Sequence, residues 1–89
     1  MNDGFALAAD EASRRIGIIN KWYAPWMGKM WEKIKVQRSD VAGRILEAGE
    51  RIDMTFDNYR NGKTKWEDVE KAIDDYAETW RMVPVIFPK

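Results

Sequence analysis

The sequence predicts an all-α protein: a three-helix antiparallel arrangement with a long central helix over about residues 26–59 and an extended apolar C-terminal tail. Three observations carry this expectation. Apolar residues recur at three- and four-residue steps, the period of a helix with one buried face. Two columns of residues spaced seven apart hold a common phase through the middle of the chain. Acid–base pairs four residues apart line the opposite faces.

The first helix is read from Phe5, Ala8, Ala9, Ala12, Ile16, Ile19 and Tyr23. Asp10–Arg14 and Glu11–Arg15 support it outside, and Asn2 or Asp3 supplies the cap. Pro25 marks its end, because Ala24 before it is biased away from helical angles. Gly17 inside this segment costs about 1 kcal/mol relative to alanine, which points to a close helix contact there.

The central helix rests on the column Met27, Ile34, Val41, Ala48, Thr55 and the column Trp31, Arg38, Ile45, Ile52, Tyr59. Asp40–Arg44 and Glu47–Arg51 lie outside it. Ser39 and Asp40 resemble a helix N-cap, so a kink or break belongs there if anywhere. Unbroken, a helix over residues 26–59 spans about 51 Å and overshoots a domain of roughly 30 Å diameter. The expected consequence is a chain that is not a compact monomer; a break at Ser39–Asp40 instead folds the halves into a four-helix monomer.

Asn61-Gly62 reads as a helix stop. Thr64-Lys65-Trp66-Glu67 fits a capping box with Thr64 as the cap. The third helix follows, with Trp66, Val69, Ile73, Tyr76, Ala77 and Trp80 on one face and Pro84 ending it. The tail from Val83 to Pro88 is too apolar to stand free in water and is expected as an extended strap on this chain or a neighbour. The expected organisation is one helical domain over residues 1–82 and a docking tail over 83–89.

Composition narrows the function. The 89 residues contain no histidine and no cysteine, which removes disulfides, thiolate and imidazole metal sites and histidine- or cysteine-based catalysis. Fifteen basic and fifteen acidic residues cancel, so the molecule as a whole is not drawn to polyanions. A chain this short buries only about 60–65% of its unfolded surface, so a partner is a natural source of further stability. The longest apolar run, Phe5 to Ala9, is too short for a membrane span or signal peptide. The expected location is cytoplasmic: host cytoplasm, or virion for a phage-encoded chain.

Two surfaces attract attention. Trp22, Tyr23, Trp26, Met27, Met30 and Trp31 crowd ten residues around Pro25, more than a small core readily absorbs. Trp22, Tyr23, Trp26, Met27 and Met30, with Val85, Ile86 and Phe87 of the tail, are the expected protein interface. Trp31, in a core column, is expected inside, and Trp26 outside. The alternative is a nucleic-acid surface of Arg14, Arg15, Lys21, Lys29, Lys33, Lys35 and Arg38, in which cations meet phosphate and aromatic rings stack on bases. Amphipathic helices with solvated cations explain those residues more simply.

Other features carry less. Residues 47–78 hold ten acids and five bases, which suits pairing with the basic first half or contact between copies. The acids Glu67, Asp68, Glu70, Asp74, Asp75 and Glu78 read as a solvated face. The run from Asp57 to Asp68 has the length of a calcium loop, but Tyr59 and Lys65 occupy ligand positions, so no metal and no cofactor is expected. No phosphate-binding glycine loop or shielded carboxylate paired with a nucleophile is present, so no enzyme activity is expected. The leading expectation is a non-catalytic helical interaction protein that self-associates or docks into a larger protein assembly. Its size and composition are those of phage virion components and phage inhibitors of host proteins. The alternative is a small nucleic-acid-binding or regulatory protein.

Overall fold

The computed structural model describes residues 3–88, the side chains of Asp3 and Phe5 excepted. The cap expected from Asn2 or Asp3 and the packing expected of Phe5 lie outside the described residues. The elements are α1 (Asp3–Met27), α2 (Trp31–Gln37), α3 (Ser39–Arg60), α4 (Trp66–Arg81) and a single turn, α5 (Val83–Ile86). The fold is all-α, with four helices and a terminal turn in place of three helices and an extended tail. No helix among the described residues is long and apolar enough to cross a membrane.

α1 buries Ala12, Ile19 and Trp26, seven residues apart, with Ile16 and Tyr23 packed beside them. Pro25 does not end it. The missing N–H sacrifices one hydrogen bond to the carbonyl of Lys21, an exposed position open to water. The helix closes when Gly28 N–H donates to the Ala24 carbonyl at 2.9 Å. Gly17 has no helix against it: a Cβ there meets nothing within 4 Å, so the expected crossing is not made.

The central helix breaks twice. A turn over residues 28–30 separates α1 from α2, and Arg38, at φ −138° and ψ 67°, separates α2 from α3. The buried columns survive, because Ile34, Val41, Ile45, Ala48 and Ile52 are all inside. Arg38, read as a member of a column, is exposed at the break, one residue before the Ser39–Asp40 position where a break was expected. One residue of non-helical backbone lets α2 fold over the end of the bundle, where Trp31 lies 6.3 Å from Trp80 and the Lys33 ammonium sits 6.0 Å above the Phe87 ring.

α3 and α4 form an antiparallel hairpin. Its turn is a Schellman motif. Lys63 N–H donates to the Asn58 carbonyl at 2.8 Å and Gly62 N–H to the Tyr59 carbonyl at 3.0 Å. Gly62 takes the left-handed angle, φ 74°, that the motif needs. Glycine adopts that angle without steric cost. The N-cap of α4 falls one residue later than expected. Thr64 turns its hydroxyl back to the Thr55 carbonyl at 3.4 Å, and Asp68 instead accepts from Lys65 N–H at 3.1 Å. α1 runs parallel to α4 and antiparallel to α3. Arg15 reaches Asp74, Asn20 accepts from Tyr76, and Tyr23 stacks on Trp80, so positions rise together along the two helices.

The tail is helical, contrary to the extended strap expected. Pro84 is the second residue of α5, where a helix needs no N–H. Phe87 N–H donates to the Val83 carbonyl at 2.7 Å. Val83 and Phe87 are buried against the chain's own core. The result is an elongated bundle of 47 × 21 × 16 Å with a radius of gyration of 14.4 Å. A compact domain of this length has a radius of gyration of about 12 Å.

Trp26, expected outside, is buried, and Trp31, expected inside, is half-buried against the core. Trp26→Ala is expected to cost about 3–5 kcal/mol in urea unfolding, because it empties a buried site. Trp22→Ala is expected to stay within about 0.5 kcal/mol of the parent, as at other exposed positions. Gly17→Ala has room for its methyl group and is expected to stabilise the protein by about 0.5–1 kcal/mol.

Candidate interaction surfaces

The residues expected at a protein interface do not form one surface. Trp26 is 6% exposed, and its indole N–H donates to the Phe87 carbonyl at 2.7 Å. Trp26 and Phe87 therefore belong to the core, since pairing them buries a ring and an otherwise unsatisfied backbone oxygen together. Tyr23 is half-buried, stacked on Trp80 with ring centroids 5.6 Å apart and planes at 14°. Met27, Met30 and Ile86 are half-buried against the same cluster. Trp31, expected inside, is also only half-buried. Trp22 and Val85 face outward, on different helices, 67% and 80% exposed. The Trp80 indole N–H is buried and has no acceptor among the described residues. Such an arrangement costs about 1–3 kcal/mol of desolvation.

Two exposed residues that sequence reasoning passed over lie on the outer side of α1. Leu7 is 68% exposed and Ile18 is 38% exposed. With Trp22 they are spaced eleven and four residues apart, which puts all three on one line along the helix. That line is rotated by roughly a quarter of a turn from the Ala12–Ile19–Trp26 column, at about 100° per residue. The apolar face expected for α1, through Ala12, Ile16, Ile19 and Tyr23, is the one that packs, and Leu7, Ile18 and Trp22 lie off it. The middle of the line carries Glu11 and Arg14, paired at 2.7 Å. The Arg14 guanidinium holds the Glu11 carboxyl below its usual range, and Glu11 raises Arg14 in turn.

Two concavities flank the bundle. A groove of about 470 Å³ lies between α1 and α3, floored by Ala12, Ile16, Ile52 and Phe56 and rimmed by Asp53, Asp57 and Arg60. A smaller one of about 190 Å³ is bounded by Met27, Trp31, Ile45, Leu46 and Trp80. Among the described residues no three Asp or Glu side chains converge as metal ligands. The Asp57–Asp68 run is folded as the helix stop and the α4 cap.

The basic surface is largely committed within the chain. Arg15 bridges to Asp74 at 2.7 Å and to Glu70 at 3.6 Å, Lys35 pairs with Glu32, and Arg38 pairs with Asp40. Arg14 takes Glu11 three residues back rather than Asp10, and Arg51 reaches Asp75 across the hairpin at 3.9 Å. Lys33 lies over Phe87, while Lys21 and Lys29 are exposed on α1 and in the following turn. Comparison with protein-family models, curated proteins and solved structures gives no match.

The Arg38–Asp40 pair yields a pH prediction. The Arg38 guanidinium, donating to both carboxylate oxygens, holds Asp40 down to about 2. A carboxyl depressed in the folded state contributes stability above its unfolded value of about 3.9 and loses that contribution as pH falls through the folded value. Carboxyl NMR titration is expected to show Asp40 still charged when exposed carboxyls have protonated. Arg38→Ala is expected to return its midpoint toward the ordinary range.

Proposed function

We propose that this chain is a non-catalytic helical interaction protein that self-associates or docks into a larger protein assembly. The observation that carries the reading is the apolar line Leu7–Ile18–Trp22 on the outer face of α1. An exposed tryptophan aligned with two aliphatic side chains on a rigid helix is the composition of an interface anchor. An 89-residue assembly component, of the kind found among phage virion parts and phage inhibitors of host proteins, fits the size and elongated shape. The nucleic-acid alternative draws less support, because Arg14, Arg15, Lys35 and Arg38 are each paired with a carboxylate of the same chain.

Light scattering of the wild-type chain from low to high micromolar concentration tests the reading. The expected result is a mass that rises above 10.4 kDa with concentration. A parallel titration with labelled DNA and RNA at about 150 mM salt is expected to show no complex. A constant monomer mass together with salt-resistant nucleic-acid binding overturns the proposal in favour of the alternative.

A further inference from the structure

We infer that the outer stripe of α1 is an interface between two copies of this chain, paired antiparallel about a two-fold axis between residues 12 and 13. The inference rests on the reading of the chain as an interaction protein and names its partner. Along the exposed face, the order from the N-terminal end is Leu7, Glu11, Arg14, Ile18, Trp22. Reversed and laid on itself, this order is complementary. Leu7 meets the partner's Ile18, and Ile18 meets the partner's Leu7. Glu11 meets the partner's Arg14, and Arg14 meets the partner's Glu11. In the same register Trp22 falls opposite position 3, at the start of the partner's α1, outside the two apolar contacts and the charges between them. The Glu11–Arg14 pair at 2.7 Å within one chain becomes a ring of four alternating charges between two apolar contacts. A two-fold interface demands this self-complementarity, with each patch its own partner.

Two further observations favour a second copy over another occupant. Self-pairing at the other aligned apolar pair, Leu46 and Met54 on α3, is opposed by charge: Glu50 lies between them, with Glu47 and Asp53 beside it, so two copies would set acid against acid. Arg15, adjacent to the α1 stripe, is held by Asp74 and Glu70 and adds no unpaired cation to the seam.

Charge reversal tests the pairing. Glu11→Arg and Arg14→Glu each place like charges together twice across the axis, and each is expected to weaken self-association more than about tenfold. Both positions are on the outer side of α1, and circular dichroism is expected to show unchanged helix. Mixed in equal amounts, the two variants bring two cations against two anions in the opposing chain, and sedimentation is expected to show the dimer restored. Single variants that keep the wild-type mass overturn this interface while leaving the association reading intact. Variants that stay monomeric and fail to re-associate on mixing overturn the antiparallel pairing, and show that α1 contacts a different surface of its partner. A wild-type chain that is monomeric at high micromolar concentration overturns the self-pairing itself, leaving docking on another protein to its own test.

Discussion

At one end of the bundle, the indole N–H of Trp26 reaches the carbonyl of Phe87 and joins the end of α1 to the end of the chain. Sixty-one positions of sequence separate the two, so every element between them is enclosed by this contact. Around it, Tyr23 lies on Trp80, Trp31 tilts against Trp80, and Val83 is sealed beneath α5. The aromatic excess that suggested a surface patch is largely the mortar of this end. A small chain has little interior, and large rings fill it with few residues and few rotamers to freeze. One polar group, the Trp80 indole N–H, stays unsatisfied among the described residues, which shows packing prevailing over hydrogen bonding there.

Towards the other end the Phe56, Tyr59 and Trp66 rings pack together at the α3–α4 turn. Between the ends α1 is tied to α4 by the Arg15 bridges and the Asn20–Tyr76 hydrogen bond, with an open groove between α1 and α3. The molecule is elongated. That shape leaves surface uncovered, and α1 carries the aligned apolar side chains upon it. The same length that makes α1 project also gives its outer stripe four turns over which to meet a partner.

Electrostatics sorts the surfaces further. A neutral chain can still be polar in the spatial sense, and here the basic first half and acidic second half meet in the Arg15–Asp74 and Arg15–Glu70 bridges. Of the α4 carboxylates read as a solvated face, Glu70, Asp74, Asp75 and Glu78 pair with arginines of the same chain. Exposed ion pairs add little stability individually.

Helix content, the Asn61-Gly62 stop, and the buried identities of Ile34, Val41, Ile45, Ala48 and Ile52 follow from the sequence alone, because periodicity and turn chemistry are local properties. The break at Arg38 was half-legible: Ser39 and Asp40 beside it resemble a helix N-cap, but a helix can carry such residues on its outer side. Only the competition between a straight rod and a closed core decides for the break, and that competition involves Trp80 and Phe87, far along the chain. The buried face of α1 was legible as far as Ala12, Ile16, Ile19 and Tyr23, because apolar residues recur there while Glu11 and Arg14 interrupt the Leu7–Ile18–Trp22 line. Trp26 was not legible: its place inside depends on the Phe87 carbonyl, sixty-one positions away, which local periodicity does not contain.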